Sequence, residues 1–115
     1  MTERPMQEPT LLLLTALADA PRHGYALLRE IAAISDGRVR MRTGTLYGAL
    51  DRLLGQGLIE VIGDEVVGGR ARRTYALTDG GQAALATETE RLRAVVAEAQ
   101  RRLSTARPRL RGATA

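Results

Sequence analysis

Cysteine, lysine, tryptophan and phenylalanine are absent from this sequence of 115 residues, and histidine occurs only once. Without cysteine there is no disulfide, no thiolate zinc site and no cysteine nucleophile. A single histidine, His23, excludes a histidine-rich metal site. No serine or threonine has a neighbouring base and orienting group in the sequence, so a nucleophilic triad is not expected. We therefore predict a protein that is not an enzyme and has no catalytic residue, metal or cofactor.

The sequence also lacks a membrane or export signal. No apolar run approaches the ~18 residues that a spanning helix requires, so we expect no membrane partner. Glu3 and Glu8 lie where a signal peptide would be basic, and Pro5 and Pro9 flank them. A chain of this length has room for one domain. We expect a single-domain cytoplasmic protein.

Positive charge is abundant and unevenly distributed. All 17 basic residues are arginine, and the net charge is +4. Residues 38–75 carry seven arginines against four acids, and residues 101–115 carry five arginines and no acid. Codon usage in a GC-rich genome would explain arginine in place of lysine, but it would not explain the clustering. The clusters favour an anionic polymer as partner.

The spacing of hydrophobic residues, together with the glycines and prolines that end helices and form turns, predicts four helices and a hairpin. The predicted helices cover Pro9–Ala20, Gly24–Ser35, Gly44–Gln56 with Thr43 as N-cap, and the stretch from a Thr78-Asp79 cap to Ser104. Residues 38–42 alternate charged and apolar side chains, which is typical of a short extended segment. Two further strands, Leu58–Ile62 and Arg72–Leu77, are predicted on either side of a loop from Gly63 to Gly69.

Three helices followed by a two-stranded ribbon are typical of a winged helix-turn-helix. The predicted fold class is mainly α with a small β-hairpin (α+β), extended by a long C-terminal helix. We predict four regions: a flexible lead-in over residues 1–8, a DNA-binding domain over 9–78, a dimerisation helix over 79–104, and a disordered basic tail over 105–115.

The third helix has the pattern of a helix that enters a major groove. Its leucines mark the buried face, and mostly small residues lie opposite, where backbone can approach a base edge. Threonine hydroxyls and the free N–H groups of the first turn suit a phosphate oxygen, and the arginine suits guanine. An ordinary amphipathic helix with a solvated face explains the same pattern. The candidate DNA-binding residues are Thr43, Gly44, Thr45, Tyr47, Gly48 and Arg52.

The hairpin adds three arginines, Arg70, Arg72 and Arg73, which suit contacts to the DNA backbone and the minor groove. Alternation places Arg70 and Arg72 on the outer face and gives Arg73 the parity of the inner face, at the root of the wing. Asp64 and Glu65 oppose this interpretation because they would repel phosphate.

The fourth helix carries an apolar seam with the spacing of a coiled coil. One explanation is that the helix packs this seam against its own domain. However, 26 helical residues extend ~39 Å, which is longer than a three-helix body, so part of the seam needs a second chain. The predicted dimer interface consists of Leu85, Leu92, Val96, Ala99 and Leu103.

Several short motifs together resemble the PadR family of bacterial transcriptional regulators over residues 10–103. They are His23-Gly24-Tyr25, Thr43-Gly44-Thr45-Leu46-Tyr47, Arg52-Leu53, Gly57-Leu58-Ile59-Glu60, Arg72-Arg73 with Tyr75, and Leu77-Thr78. The single C-terminal helix is similar to the smaller subgroup of that family.

The resemblance implies a homodimer that binds double-stranded DNA at a palindromic promoter site, usually as a repressor. It also implies release by a small aromatic or drug-like effector near the dimer interface. Because the chain has neither Trp nor Phe, the identity of the effector does not carry over. The alternative from another class is a winged-helix interaction module whose arginines bind an acidic protein.

Overall fold

The computed structural model describes residues 5–106, and within them the chain forms four helices and three strands. Residues 1–4 of the predicted lead-in, and residues 107–115 of the predicted tail, lie outside the described part. The elements in chain order are α1 (Glu8–Ala18), β1 (Arg22–His23), α2 (Gly24–Ile34), α3 (Thr43–Gly55), β2 (Ile59–Val67), β3 (Arg70–Leu77) and α4 (Asp79–Ser104).

One apolar core lies between the first three helices and the inner face of the sheet. As predicted, the leucine face of α3 points into the core. Helices α2 and α3 each contribute one stripe of large side chains, whereas α1 is buried on most of its circumference because its leucines are consecutive. The buried hydrophobic residues are Leu12, Leu13, Leu14, Ala16, Leu17, Leu27, Ile31, Leu46, Leu50, Leu53, Ile59 and Tyr75.

The hairpin is longer and its turn tighter than the sequence indicated. The predicted loop from Gly63 to Gly69 is wrong, because β2 and β3 continue to a turn made only by Gly68 and Gly69. Both glycines have positive φ, 57° and 79°, the conformation that a two-residue hairpin turn needs. The ladder shifts register between Val61 and Gly63, so a bulge lies near the base of the ribbon.

The third strand of the sheet is not the one predicted. Residues 38–42 join no ladder, although Val39 and Met41 pack against the core as their alternation indicated. The Oγ of Ser35 accepts a hydrogen bond from the N–H of Val39 at 2.9 Å, so a side chain takes that donor. Instead, Arg22 and His23 form β1, which pairs antiparallel with β3 and gives the strand order β1-β3-β2.

The helix starts differ in how they are capped. The prediction of Thr43 as N-cap is wrong: Arg42 occupies the N-cap position of α3, and no side chain caps this helix. In α4 the predicted cap is confirmed, since the N–H of Gly81 donates to the Oγ1 of Thr78 at 3.0 Å. The first turn of α3 is therefore left with open backbone donors.

The long α4 packs on the domain only near its beginning. Gly81 and Glu88 are its buried residues, and the helix contacts α1 and β3. None of the helices within residues 5–106 is long and apolar enough to cross a membrane. The same residues contain no group of three or more metal-ligating side chains.

Candidate nucleic-acid interface

Three glycines leave most of the outward face of α3 bare. A Cβ atom built on Gly44, Gly48 or Gly55 would meet no atom within 4 Å, so open space lies in front of all three glycines. The backbone of a helix without side chains on one face can come close to another molecule. Asp51 is exposed on the same face. Its carboxylate would repel phosphate and can accept a hydrogen bond from a base amino group.

The start of α3 has the chemistry of an anion site. No side chain caps the helix, and Arg42, Thr43 and Thr45 are exposed around its first turn. Free N–H groups at a helix N-terminus, together with the positive end of the helix dipole, favour a phosphate oxygen. The structure thus brings together the two predicted threonines and a guanidinium that the sequence analysis did not select.

A groove of about 350 Å³, here called the wing groove, separates α3 from the ribbon. Tyr47 of α3 lines one side, and residues 70–73 of β3 line the other. The floor includes Gly24, where a Cβ would lie 2.5 Å from the hydroxyl oxygen of Tyr47. Tyr47 can therefore lie over the start of α2 only because residue 24 has no side chain.

His23, Gly24 and Tyr25 belong to this groove and were absent from the predicted site. They reach it because β1 pairs with β3, with His23 opposite Thr74. A two-residue strand leaves almost no periodic signal in a sequence. Only the presence of Gly24 between two larger residues pointed to a close approach.

The three wing arginines differ in their surroundings. Arg70 and Arg72 are exposed, and neither forms an ion pair within the described residues. The Nε of Arg73 lies 3.8 Å from a carboxylate oxygen of Asp64 on the opposite strand, so its charge is partly balanced. The structure places Arg73 at the surface, with 55% of its side chain exposed, and not at a buried root of the wing.

Tyr75 lies at the buried end of the wing and shows where the ribbon joins the core. It is 3% exposed, and burial raises the pKa of its hydroxyl. The negative charge of Asp51 acts in the same direction, whereas Arg73 opposes it. The phenol therefore stays neutral, which suits a core residue and not a charged contact.

Arg52 occupies the other flank of α3. One of its terminal nitrogens donates a hydrogen bond to the Oγ1 of Thr10 at 2.8 Å, so the side chain is directed toward α1. With Thr45 and Gly48 it lines a wide cleft of about 830 Å³ against residues 5–10. The predicted α3 residues thus lie on two sides of one exposed helix, with Tyr47 facing the wing and Arg52 facing the N-terminal segment.

The arginines without an ion pair are concentrated in one part of the molecule. Thirteen arginines lie within residues 5–106, and seven of them are within ion-pair distance of a carboxylate there. The other six all lie between α2 and β3, around α3 and the wing, and none lies on α4. They are Arg29, Arg40, Arg42, Arg52, Arg70 and Arg72.

The predicted dimer seam is divided between two environments. Leu85 packs against the domain's own core, and Leu92 is half-buried. Val96 and Leu103 are 51% and 73% exposed, and Ala99 is exposed between them. Val95, which the sequence analysis did not include, is 54% exposed beside them and widens the apolar stripe.

Comparison with known proteins identifies the family. Residues 13–87 match the model of the transcriptional regulator PadR-like family. The transcriptional regulator Rv3488 of Mycobacterium tuberculosis is 40% identical over 88 residues, which are 76% of this chain and 78% of that protein. The chain belongs to the PadR-like family. Its class is therefore that of transcriptional regulators and not of enzymes, as the sequence predicted.

Solved PadR-family structures share the fold. A PadR family regulator from Clostridium difficile R20291 superposes with a TM-score of 0.70, at 21% identity over 84% of this chain and 99% of that one. Bacillus subtilis PadR in complex with operator DNA gives a TM-score of 0.63 at 20% identity over 70% of this chain and 47% of that one. These likenesses confirm the mainly helical architecture with a small sheet and a long C-terminal helix.

One further relative is much longer than the matched segment. An uncharacterised 37.1 kDa protein in a transposon of Streptomyces fradiae is 40% identical over 78 residues. That segment is 68% of this chain but only 21% of the Streptomyces protein.

Proposed function

We propose that this chain binds double-stranded DNA in a sequence-specific manner as a cytoplasmic transcriptional regulator. The bare outward face of α3, flanked by arginines without carboxylate partners, is the observation that carries the proposal. A glycine-lined helix can approach base edges, while unpaired guanidinium groups are available for phosphates and guanines. The DNA complex of B. subtilis PadR, a protein with the same fold, is consistent with this use of the architecture.

In this proposal the residues have distinct roles. Thr43, Gly44 and Thr45 hold a phosphate at the start of α3, and Gly48 lets the helix lie deep in the major groove. Tyr47 adds a hydroxyl on the side that faces the wing. The proposed charged contacts are those of Arg52 with guanine, and those of Arg70, Arg72 and Arg73 with the DNA backbone beside the wing.

The molecule acts as a homodimer in this proposal. The exposed stripe on α4 supports it, because Val95, Val96 and Leu103 have no cover within the described chain. A two-fold dimer presents two α3 helices to successive major grooves, which requires a palindromic site. Repression of the bound promoter, and its relief by a small molecule, are the further expectations that follow from family membership.

The first experiment is footprinting of the purified protein on the DNA upstream of its own gene, with and without candidate effectors. A protected palindrome is expected, and binding should weaken with a log–log salt slope of several negative units. Arg52→Ala should weaken the specific site by about 1–3 kcal/mol and relax the base preference. Arg72→Ala should weaken specific and non-specific DNA alike.

A second comparison tests the bare face of α3. Gly48→Leu should fold normally because a Cβ at this position meets no atom within 4 Å, yet it should lose affinity for DNA. If the three variants bind DNA as the natural protein does, this surface is not the DNA interface. Salt-sensitive binding to an acidic protein with none to DNA would favour the interaction module.

A further inference from the structure

Three of the arginines without ion pairs lie outside the set proposed above. Arg29 is on α2, and Arg40 and Arg42 precede α3. Six arginines in this region have no carboxylate within ion-pair distance among the described residues, so no direct partner neutralises their charge. The surface around α2 therefore carries positive charges that have no role in the DNA contacts proposed for α3 and the wing.

Tyr25 joins this surface to the wing groove. It is 67% exposed and lines both the wing groove and a shallow depression on the outside of α2. The guanidinium carbon of Arg29 lies 5.4 Å from the centre of the Tyr25 ring, one helical turn away. This cation–π contact directs Arg29 along α2 toward the helix start, and so toward the wing groove.

Arg40 completes the same depression from the other side. The depression has a volume of about 390 Å³, and its floor is apolar, formed by Leu28, Ala32 and Met41. No acidic residue lines it. Of the nearby acids, Glu30 on α2 lies 3.8 Å from Arg22, and Asp36 lies beyond Arg40 in the next depression. Two guanidinium groups and a phenol thus face solvent together, and among the described residues no carboxylate lies within ion-pair distance of either guanidinium.

We propose that Tyr25, Arg29 and Arg40, here called the α2 strip, bind the sugar-phosphate backbone of duplex DNA beside the stretch contacted by α3. The inference rests on the proposed function and extends it to a longer contact with DNA. Guanidinium groups and a phenol hydroxyl all donate to phosphate oxygens, and none of them needs a particular base there. The strip therefore adds affinity and length to the footprint without adding base preference.

The test measures DNA affinity against salt concentration for Arg29→Ala/Arg40→Ala. Loss of two phosphate contacts should make the log–log slope less negative by about 2, equally for the specific site and for unrelated DNA. The ratio of specific to non-specific affinity should stay unchanged. The charge-conserving Arg29→Lys/Arg40→Lys should keep most of the slope, since each contact is mainly electrostatic.

The control is Arg93→Ala, which removes one positive charge from α4, where 72% of the arginine side chain is exposed. It should leave the slope unchanged. Circular dichroism and the thermal midpoint verify that each variant is folded. Arg29 and Arg40 are exposed, so we expect both measurements to match those of the natural protein.

Duplex length provides an independent readout. Affinity is measured for duplexes shortened symmetrically from both ends. Below a certain length the natural protein should lose affinity, because the α2 strip no longer reaches DNA, whereas the affinity of the double alanine variant should not change. The proposal is overturned if the double variant keeps the natural slope and length dependence while Arg72→Ala still weakens binding. If the natural protein binds no duplex at all, the proposed function fails and the α2 strip fails with it. Loss of an acidic protein partner in the double variant, with DNA binding intact, would assign the strip to that partner instead.

Discussion

Glu88 is a charged side chain that the fold buries although it lies on the exposed C-terminal helix. It lies on α4 with 7% of its side chain exposed, and Arg91 donates to it from one turn further along, Nε to Oε1 at 3.1 Å. The hydrogen bond from Arg91 is the main cause that lowers the pKa of Glu88, and the backbone N–H of Met6 acts in the same direction. The ionised carboxylate is therefore paired with Arg91 on its own helix, and Met6 of the N-terminal segment lies close enough to favour its charge.

We predict that Glu88→Gln is less stable than the natural protein at pH 7 and that the difference shrinks on acidification. The folded-state pKa of Glu88 lies below its ordinary value of 4.5, so the ionised form stabilises the fold above that pH. The contribution is lost as the pH falls through the lowered pKa. Urea midpoints measured at about pH 7, 5, 4 and 3 test this prediction.

The matched control is Glu90→Gln on the same helix. Glu90 is 71% exposed and lies 3.7 Å from Arg93, a surface pair of little energetic value. Its urea midpoint at pH 7 should equal that of the natural protein. A constant difference between Glu88→Gln and the natural protein at every pH would contradict an ionised, stabilising Glu88.

The beginning of α4 is fixed by close backbone packing against residues 57–58, which connect α3 to β2. A Cβ on Gly81 would clash with the carbonyl oxygen of Leu58, and that oxygen accepts the N–H of Thr78 at 3.1 Å. The hydroxyl of Thr78 donates in turn to the carbonyl of Gly57 at 2.6 Å. This contact sets where α4 leaves the domain, and with it the position of any partner subunit.

Gly81→Ala should destabilise the protein by about 1–3 kcal/mol, because the methyl group forces the two backbones apart. Gly48→Ala is the matched control on a helix with open space in front of it, and it should stabilise the fold by about 0.5–1 kcal/mol through helix propensity. Chemical denaturation of both variants provides the measurement. Equal effects of the two substitutions would show that Gly81 is not a close contact.

The whole molecule is elongated because α4 extends beyond the domain. The radius of gyration is 18.4 Å and the extents are 64 × 35 × 21 Å, whereas a compact domain of this length has a radius of gyration of ~13 Å. The extended part carries the exposed stripe of Val95, Val96 and Leu103. A stripe of this kind on a protruding helix is typical of a helix that packs against a second chain.

Val96→Glu should convert the dimer that we propose into monomers, because it places a charge in the apolar stripe. Leu92→Glu should do the same, but Leu92 is half-buried and its variant also tests the fold. Ala97→Glu adds the same charge on an exposed position away from the stripe and should remain dimeric. Light scattering at matched concentrations distinguishes the outcomes. A dimer that persists in Val96→Glu places the interface elsewhere.

Sequence reasoning was most accurate where one residue type repeats along a helix. The leucines of α3 predicted its buried face, and the spacing along α4 predicted a long helix with an apolar stripe. It failed where pairing partners mattered: β1 consists of only Arg22 and His23, and the sequence predicted a loop from Gly63 to Gly69 where the structure has a turn at Gly68-Gly69. Short strands carry no period, and alternation shows which side chains face inward but not which strand lies beside them.

The class of the fold follows from the amino-acid sequence alone, because helical spacing and glycine positions are local properties of the chain. The excess of arginine in the region of α3 and the hairpin is also visible in the sequence. Folding, in contrast, directs Arg52 toward α1 and Tyr47 toward the wing, and it pairs Arg73 with Asp64 while Arg70 and Arg72 have no such partner among the described residues. The availability of a charge depends on which distant side chains folding brings within a few ångströms, and no local pattern records that distance.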